Sequence, residues 1–250
     1  MSKDIKKIEL RNLRLSDYRE IKASMIEAYS DIEEPQWKEE EIRILVEKFP
    51  EGQFVILADG KVVGSALAII VDYAALDENH SYDEITGHYS FNTHNPDGDV
   101  LYGIDVFIHP AYRGLRLGRR LYDARKELCE RLNLKGILFG GRIPNYGKYA
   151  DQLTPREYIR KVRHKEIYDP VLSFQLSNDF HAKKILKGYL PEDESSLEYA
   201  VLLEWDNIYY QKPQQLAQVT KHVVRVGLVQ WQMRPFNGLD ALFGQVEFFV

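Results

Sequence analysis

The sequence predicts an α+β fold, with a mixed, mostly antiparallel central sheet flanked by helices. Three observations predict it. Two apolar runs, 54–58 and 61–73, are joined by Asp59-Gly60, a strong tight-turn signal because both central residues need positive φ. Residues 100–139 read as strand, basic turn, helix, strand. Two further runs, 181–189 and 196–204, read as closing strands.

Each element has its own signal. Residues 8–15 alternate (Ile8, Leu10, Leu13, Leu15) and read as a first strand with a break near Asn12. Ser16-Asp17 are capping residues for a helix whose apolar positions are Tyr18, Ile21, Met25, Tyr29 and Ile32. A second helix is expected from Pro35, a residue suited to a first turn, through Ile42, Leu45, Val46 and Phe49. The second arm of the hairpin is long and apolar, as a central strand should be. Residues 76–99 lack periodicity and carry His80, His88 and His94 at a spacing that fits no common zinc motif. These histidines are expected at the surface or facing a substrate, with the segment as pocket wall or lid. Val100–Ile108 is a mostly apolar run closed by His109-Pro110. Leu117, Leu121, Ala124, Leu128 and Leu132 then mark one stripe of a helix. Thr154-Pro155-Arg156-Glu157 has capping-box spacing and opens a helix expected to reach Glu166. A short helix and a turn at Asn178-Asp179 are expected within 169–180.

The turn at 113–120 holds four arginines in eight residues of a chain whose formal net charge is −5. A helix N-terminus presents unpaired N–H groups and the positive end of the dipole, so clustered cations there are unfavourable alone. A bound anion would resolve the conflict, because such N–H groups, reached through small glycines, cradle phosphates. The alternative is a basic turn that is solvated or paired with surface acids.

HPAYRGLRLGRRL resembles motif A of the GNAT acetyltransferases, Arg/Gln-x-x-Gly-x-Gly/Ala after a strand. Arg113 matches its first position and Gly118 its last, while Arg116 stands where the family has its middle glycine. The resemblance spans roughly residues 8–205. It implies a sheet whose fourth and fifth strands part in a V. It also implies acetyl-CoA as co-substrate, with its pyrophosphate on the turn Arg113, Gly114, Leu115, Arg116, Leu117, Gly118 and Arg119. The pantetheine arm would pair with the backbone of Val106, Phe107 and Ile108 as an added strand. The implied reaction is acyl transfer to an amine of a small molecule or protein. An ammonium must lose a proton before it attacks, and Asp105 on the central strand is the candidate base; the alternative is an aspartate turned to solvent or paired with an arginine. Family members often protonate the leaving thiolate with a tyrosine beyond the second strand, which makes Tyr146 and Tyr149 candidates.

At 250 residues the chain allows one large or two modest domains, and 44% apolar content supports a sizeable core. No early apolar run is long enough for a signal peptide or a membrane span, which points to the cytoplasm and away from a membrane partner. The single cysteine, Cys129, excludes an internal disulfide framework and is expected to pack. Mild net acidity gives no nucleic-acid footprint and no metal ligand set is recognised. A homodimer is an open expectation. The domain reading is an acyltransferase-like domain at 1–206, a polar linker at 207–221 and a further start at 222–250. In that last stretch VVRVGLVQWQ resembles the opening strand of nitrilase-family carbon–nitrogen hydrolases, and acetyltransferase-like domains are known fused ahead of such enzymes. The hydrolase triad (Glu, Lys, Cys) would lie beyond Val250, so the chain reads as truncated. Two function classes follow: a working acyltransferase, or a CoA-binding regulatory or docking module for a following hydrolase.

Overall fold

The computed structural model describes residues 5–30, 37–75, 79–191 and 193–212. Their contacts gather in a unit Met1–Tyr210, separate from Gln211–Val250. The strand expected at 222–233, the helix at 238–250 and Pro35 lie outside the described residues.

Seven strands form one sheet: β1 (Ile8–Asn12), β2 (Phe54–Ala58), β3 (Lys61–Val71), β4 (Val100–Ile108), β5 (Gly136–Arg142), β6 (His181–Leu186) and β7 (Ala200–Asp206), in the order β1-β2-β3-β4-β5-β7-β6. All pairings are antiparallel except β4 with β5. Asp59 and Gly60 both take positive φ, as the hairpin requires.

Helices cover both faces. On one lie α1 (Tyr18–Ala28), α2 (Glu39–Lys48) and α3 (Tyr82–Thr86), whose Ile21, Met25, Ile42, Leu45 and Ile85 pack on Val55, Leu67 and Ile69. On the other lie α4 (Leu117–Arg131), α5 (Pro155–Arg163) and α6 (Pro170–Leu176), whose Leu121, Leu128, Tyr158 and Leu172 pack on Ile56, Leu101, Ile137 and Leu203. A sheet apolar on both faces explains why β3 and β4 read as near-continuous apolar runs.

Local chemistry sets the boundaries. The Thr154 hydroxyl accepts from Glu157 N–H, completing the expected box, but α5 ends at Arg163, three residues short of the expectation. Asp17 does not cap α1 with its side chain; its carboxylate instead holds Arg11 at 2.7 Å and accepts from the Arg14 N–H. Segment 76–99 is not wholly irregular: Ser81 caps α3, which closes on Gly87 in a left-handed turn. Nor do its histidines share one role. His80 is buried against the Tyr102 hydroxyl at 2.8 Å, and His94 stacks on Phe49 and accepts from the Ile70 N–H. Only His88 is exposed, beside Asp83. Cys129 is buried, and burial pushes its thiol up to about 12, which suits packing. The chain also stays anchored past 206, because Asn207 donates its side-chain amide to Leu134 O at 2.8 Å.

Candidate active site

The parallel ladder of β4 and β5 has only two pairs, Leu101–Ile137 and Tyr102–Leu138. Beyond them β4 stays paired with β3 as far as Ile108, and β5 with β7 as far as Arg142. The facing edges therefore part, leaving backbone groups open to a third chain-like partner. A cleft of about 1960 Å³ occupies this fork, and Val106, Phe107 and Ile108 line it.

The N-terminus of α4 lies at this cleft. Arg113, Gly114, Arg116, Leu117, Gly118 and Arg119 line it, whereas Leu115 is 46% exposed and is not among the lining residues. Arg116 caps α4 at φ +58° and ψ 21°, so it keeps the left-handed backbone that a glycine would adopt freely. Gly118 has a packing reason, because a Cβ there would come within 2.7 Å of the Phe174 ring. Arg113 is partly committed to the fold: its guanidinium donates to Ala28 O at 3.2 Å and to Ile108 O at 3.4 Å, tying the end of α1 to the end of β4.

Deeper in the fork, Asp105 faces the α1–α2 side. Tyr29 donates its hydroxyl to one carboxylate oxygen at 2.5 Å, and Trp37 donates its indole N–H to the other at 2.9 Å. Asp105 is thus neither solvent-turned nor paired with an arginine. Burial raises its pKa, while the Tyr29 and Trp37 hydrogen bonds act in the opposite direction. Rings wall the chamber: Tyr82 donates to Ile104 O at 3.0 Å and packs on Tyr89 and Tyr189, and Trp37 packs on Tyr89. At its far side Arg142 is held by Asp193 and Ser195.

On the opposite face Arg125 reaches the crotch of the fork. The β3–β4 register slips between Leu67 and Ala68, opposite Asp105 and Gly103, so Ile104 is an extra residue in β4. Arg125, 1% exposed, donates to both carbonyls that flank this bulge, Leu67 O at 2.6 Å and Asp105 O. A Cβ on Gly103 would lie 3.0 Å from its guanidinium. The Arg125 Nε, the Tyr122 hydroxyl and Gln175 Oε1 are buried without hydrogen-bond partners, and all three residues line the cleft. Open strand edges, orphaned polar atoms and a basic turn together suit an extended, amide-bearing, phosphorylated molecule.

Tyr146 and Tyr149 are not among the residues lining the cleft. Tyr146 packs on Tyr158 and Tyr199 and donates to Leu153 O at 3.2 Å, and Tyr149 packs on Tyr158. Sequence reasoning did not single out Tyr29, Trp37 or Arg125 as site residues. Arg125 left a signal: it sits four residues after Leu121 and three before Leu128, a cation on the apolar stripe.

The model of the Acetyltransferase (GNAT) family matches residues 10–147. The chain belongs to the GNAT acetyltransferase family. This GNAT chain is 42% identical over 247 residues to the Bacillus subtilis (strain 168) protein named "Probable hydrolase YhcX", covering 98% of this chain and 48% of the relative; it therefore spans about half of that relative's length. It is 36% identical over 176 residues to "Uncharacterized N-acetyltransferase YkwB" of the same organism, covering 70% of this chain and 77% of the relative. Among solved structures, the loading GNATL domain of CurA from Lyngbya majuscula superposes with a TM-score of 0.70 at 26% identity, covering 80% of this GNAT chain and 98% of that domain.

Proposed function

We propose that this chain transfers an acetyl group from acetyl-CoA to an amine of a small molecule or protein. The observation that carries this reading is the fork itself. Its open β4 and β5 edges lead from a basic helix N-terminus to a half-buried carboxylate. The backbone N–H groups of the turn, with Arg116 and Arg119, would hold the pyrophosphate. The backbone of Val106–Ile108 would pair with the pantetheine amides and hold the thioester for attack. Asp105 would take the proton that the incoming ammonium must lose, directly or through a water. The ring-walled chamber of Tyr29, Trp37, Tyr82 and Tyr89 beside it suits the alkyl part of an amine. In this reading residues 222–250 begin a nitrilase-like hydrolase domain of a longer protein, supported by the sequence pattern there and by the relative named a hydrolase.

Calorimetry with acetyl-CoA, followed by thiol release across an amine panel, tests the reading. Saturable binding and amine-dependent thiol release are expected. Arg116→Glu should weaken acetyl-CoA binding at least about tenfold, since it puts an anion where a phosphate would lie. Binding without thiol release for any amine would favour the regulatory-module reading.

A further inference from the structure

We infer that CoA leaves this site as a thiolate, stabilised by the buried guanidinium of Arg125 and a hydrogen bond from Tyr122. This rests on the acyl-transfer reading above. Arg125 and Tyr122 lie one turn apart on α4, both almost fully buried and both lining the cleft. The hydrogen bonds of Arg125 go to backbone carbonyls, and among the described residues no carboxylate forms an ion pair with it. A buried cation with no carboxylate in contact is costly, and Asp105 acts on it only through space. Here it stands where negative charge would develop. A Cβ on Gly103, the first β4 residue past the last ladder pair, would lie 3.0 Å from its guanidinium, so the charge sits at the crotch of the fork. From Leu117 to Arg125 is eight residues of helix, about 12 Å. An extended arm whose phosphates sit on the turn would bring its sulphur into this region.

The free valences point the same way. The Arg125 Nε–H and the Tyr122 O–H have no acceptor at hydrogen-bond geometry, although the Gln175 amide lies near enough to Tyr122 to lower its pKa. The Tyr122 ring is fixed by Phe139, Phe174 and Phe180, so the hydroxyl cannot swing away to find a partner. Two preorganised donors, one carrying full charge, form a site for an anion that appears only during reaction. When the amine nitrogen bonds to the carbonyl carbon, the C–S bond breaks and its electron pair stays on sulphur. The ammonium gives one proton to Asp105 before attack and the nitrogen loses a second as the amide forms, and each passes from Asp105 to solvent in turn.

Magnitudes decide between proton transfer and charge stabilisation. Burial pushes the Tyr122 hydroxyl up to about 12, against the lowering influence of Arg125 and Gln175. An ordinary thiol ionises near about 8.5. Moving the phenol proton to the sulphur would run uphill, so Tyr122 keeps its proton and donates a hydrogen bond. No general acid is then required, consistent with Tyr146 and Tyr149 standing apart from the cleft.

The test is the acidity of the thiol of bound CoA, read from thiolate ultraviolet absorbance against pH in the full chain without acceptor. In the wild type that thiol should be at least about tenfold more acidic than in free CoA. Arg125→Met should return it to the free value, and Tyr122→Phe should return part of the effect. If Arg125→Met fails to fold, Tyr122→Phe carries the test, because it removes an oxygen with no protein partner. A bound thiol as acidic as the free one overturns this inference and leaves acyl transfer standing. An unchanged thiol acidity in both variants also overturns it. Failure of the wild type to bind CoA overturns both readings.

Discussion

Asp105 carries two opposed demands. As a base it must be ionised, yet burial raises its pKa, with the Tyr29 and Trp37 bonds and the Arg125 charge only partly offsetting this. A carboxyl whose folded pKa is raised stabilises the fold below its ordinary value, and that contribution is lost as pH rises through the folded pKa. Asp105→Asn should therefore raise the thermal midpoint at neutral pH and leave it unchanged near about pH 3. The amide fits the same contacts: its oxygen can accept from Trp37 and its NH2 can donate to Tyr29, which also reaches Val106 O at 3.2 Å. Thiol release in Asp105→Asn should fall by about 10²–10⁴-fold, the usual worth of a general base. The wild-type rate should in turn fall as pH drops through the raised pKa of Asp105. A variant that loses stability at neutral pH, or keeps full activity, would remove Asp105 from the role of strained base. Arg116 shows a similar tension, because a non-glycine residue at φ +58° costs about 1–2 kcal/mol. Strain of this kind is commonly retained at functional sites.

At the scale of elements, the site depends on how α4 and α6 meet at the fork. Gly118 opens α4 directly under Phe174 of α6, and a methyl group there would fall 2.7 Å from that ring. The ring is rigid and also stacks on Tyr122, so it cannot yield without moving the hydroxyl. Gly118→Ala should cost about 1–3 kcal/mol by overpacking, measured by denaturant unfolding. It should also weaken acetyl-CoA binding, because the displaced helix start carries the turn's N–H groups. Loss of stability with unchanged affinity would separate the turn from phosphate binding. The bulge in β4 is a second such device. The extra residue turns Asp105 toward one face while its carbonyl is caught by Arg125 from the other.

At the scale of the molecule, seven strands and both helical layers are complete by Tyr210. A chain ending at residue 210 should therefore unfold cooperatively at about the midpoint of the 250-residue chain and bind acetyl-CoA with the same affinity. Differential scanning calorimetry and titration calorimetry check this. A lower midpoint or weaker binding in the shorter chain would overturn this expectation. No helix among the described residues is long and apolar enough to cross a membrane.

The sequence by itself determined the strand order along the chain and the longer helices, but not α3 within 76–99. Asp59-Gly60, the 117–132 stripe and the Thr154 box are local codes, written in backbone preference and side-chain period, and each produced its structure. It also marked the basic turn, because a cluster of cations at a helix start is a local anomaly. What it did not hold was which distant side chains converge. Tyr29 reads as one more helical apolar position, Trp37 draws no reading at all, and Tyr146 is a candidate acid only through the family resemblance. Only packing across the sheet brings the first two onto Asp105 and leaves the third bonded to Leu153. The separation of β4 from β5 was likewise decided by tertiary structure. A fork is a relation between two strands, set by the bulge, by Arg125 and by the helices on each face, and neither strand's own residues encode it.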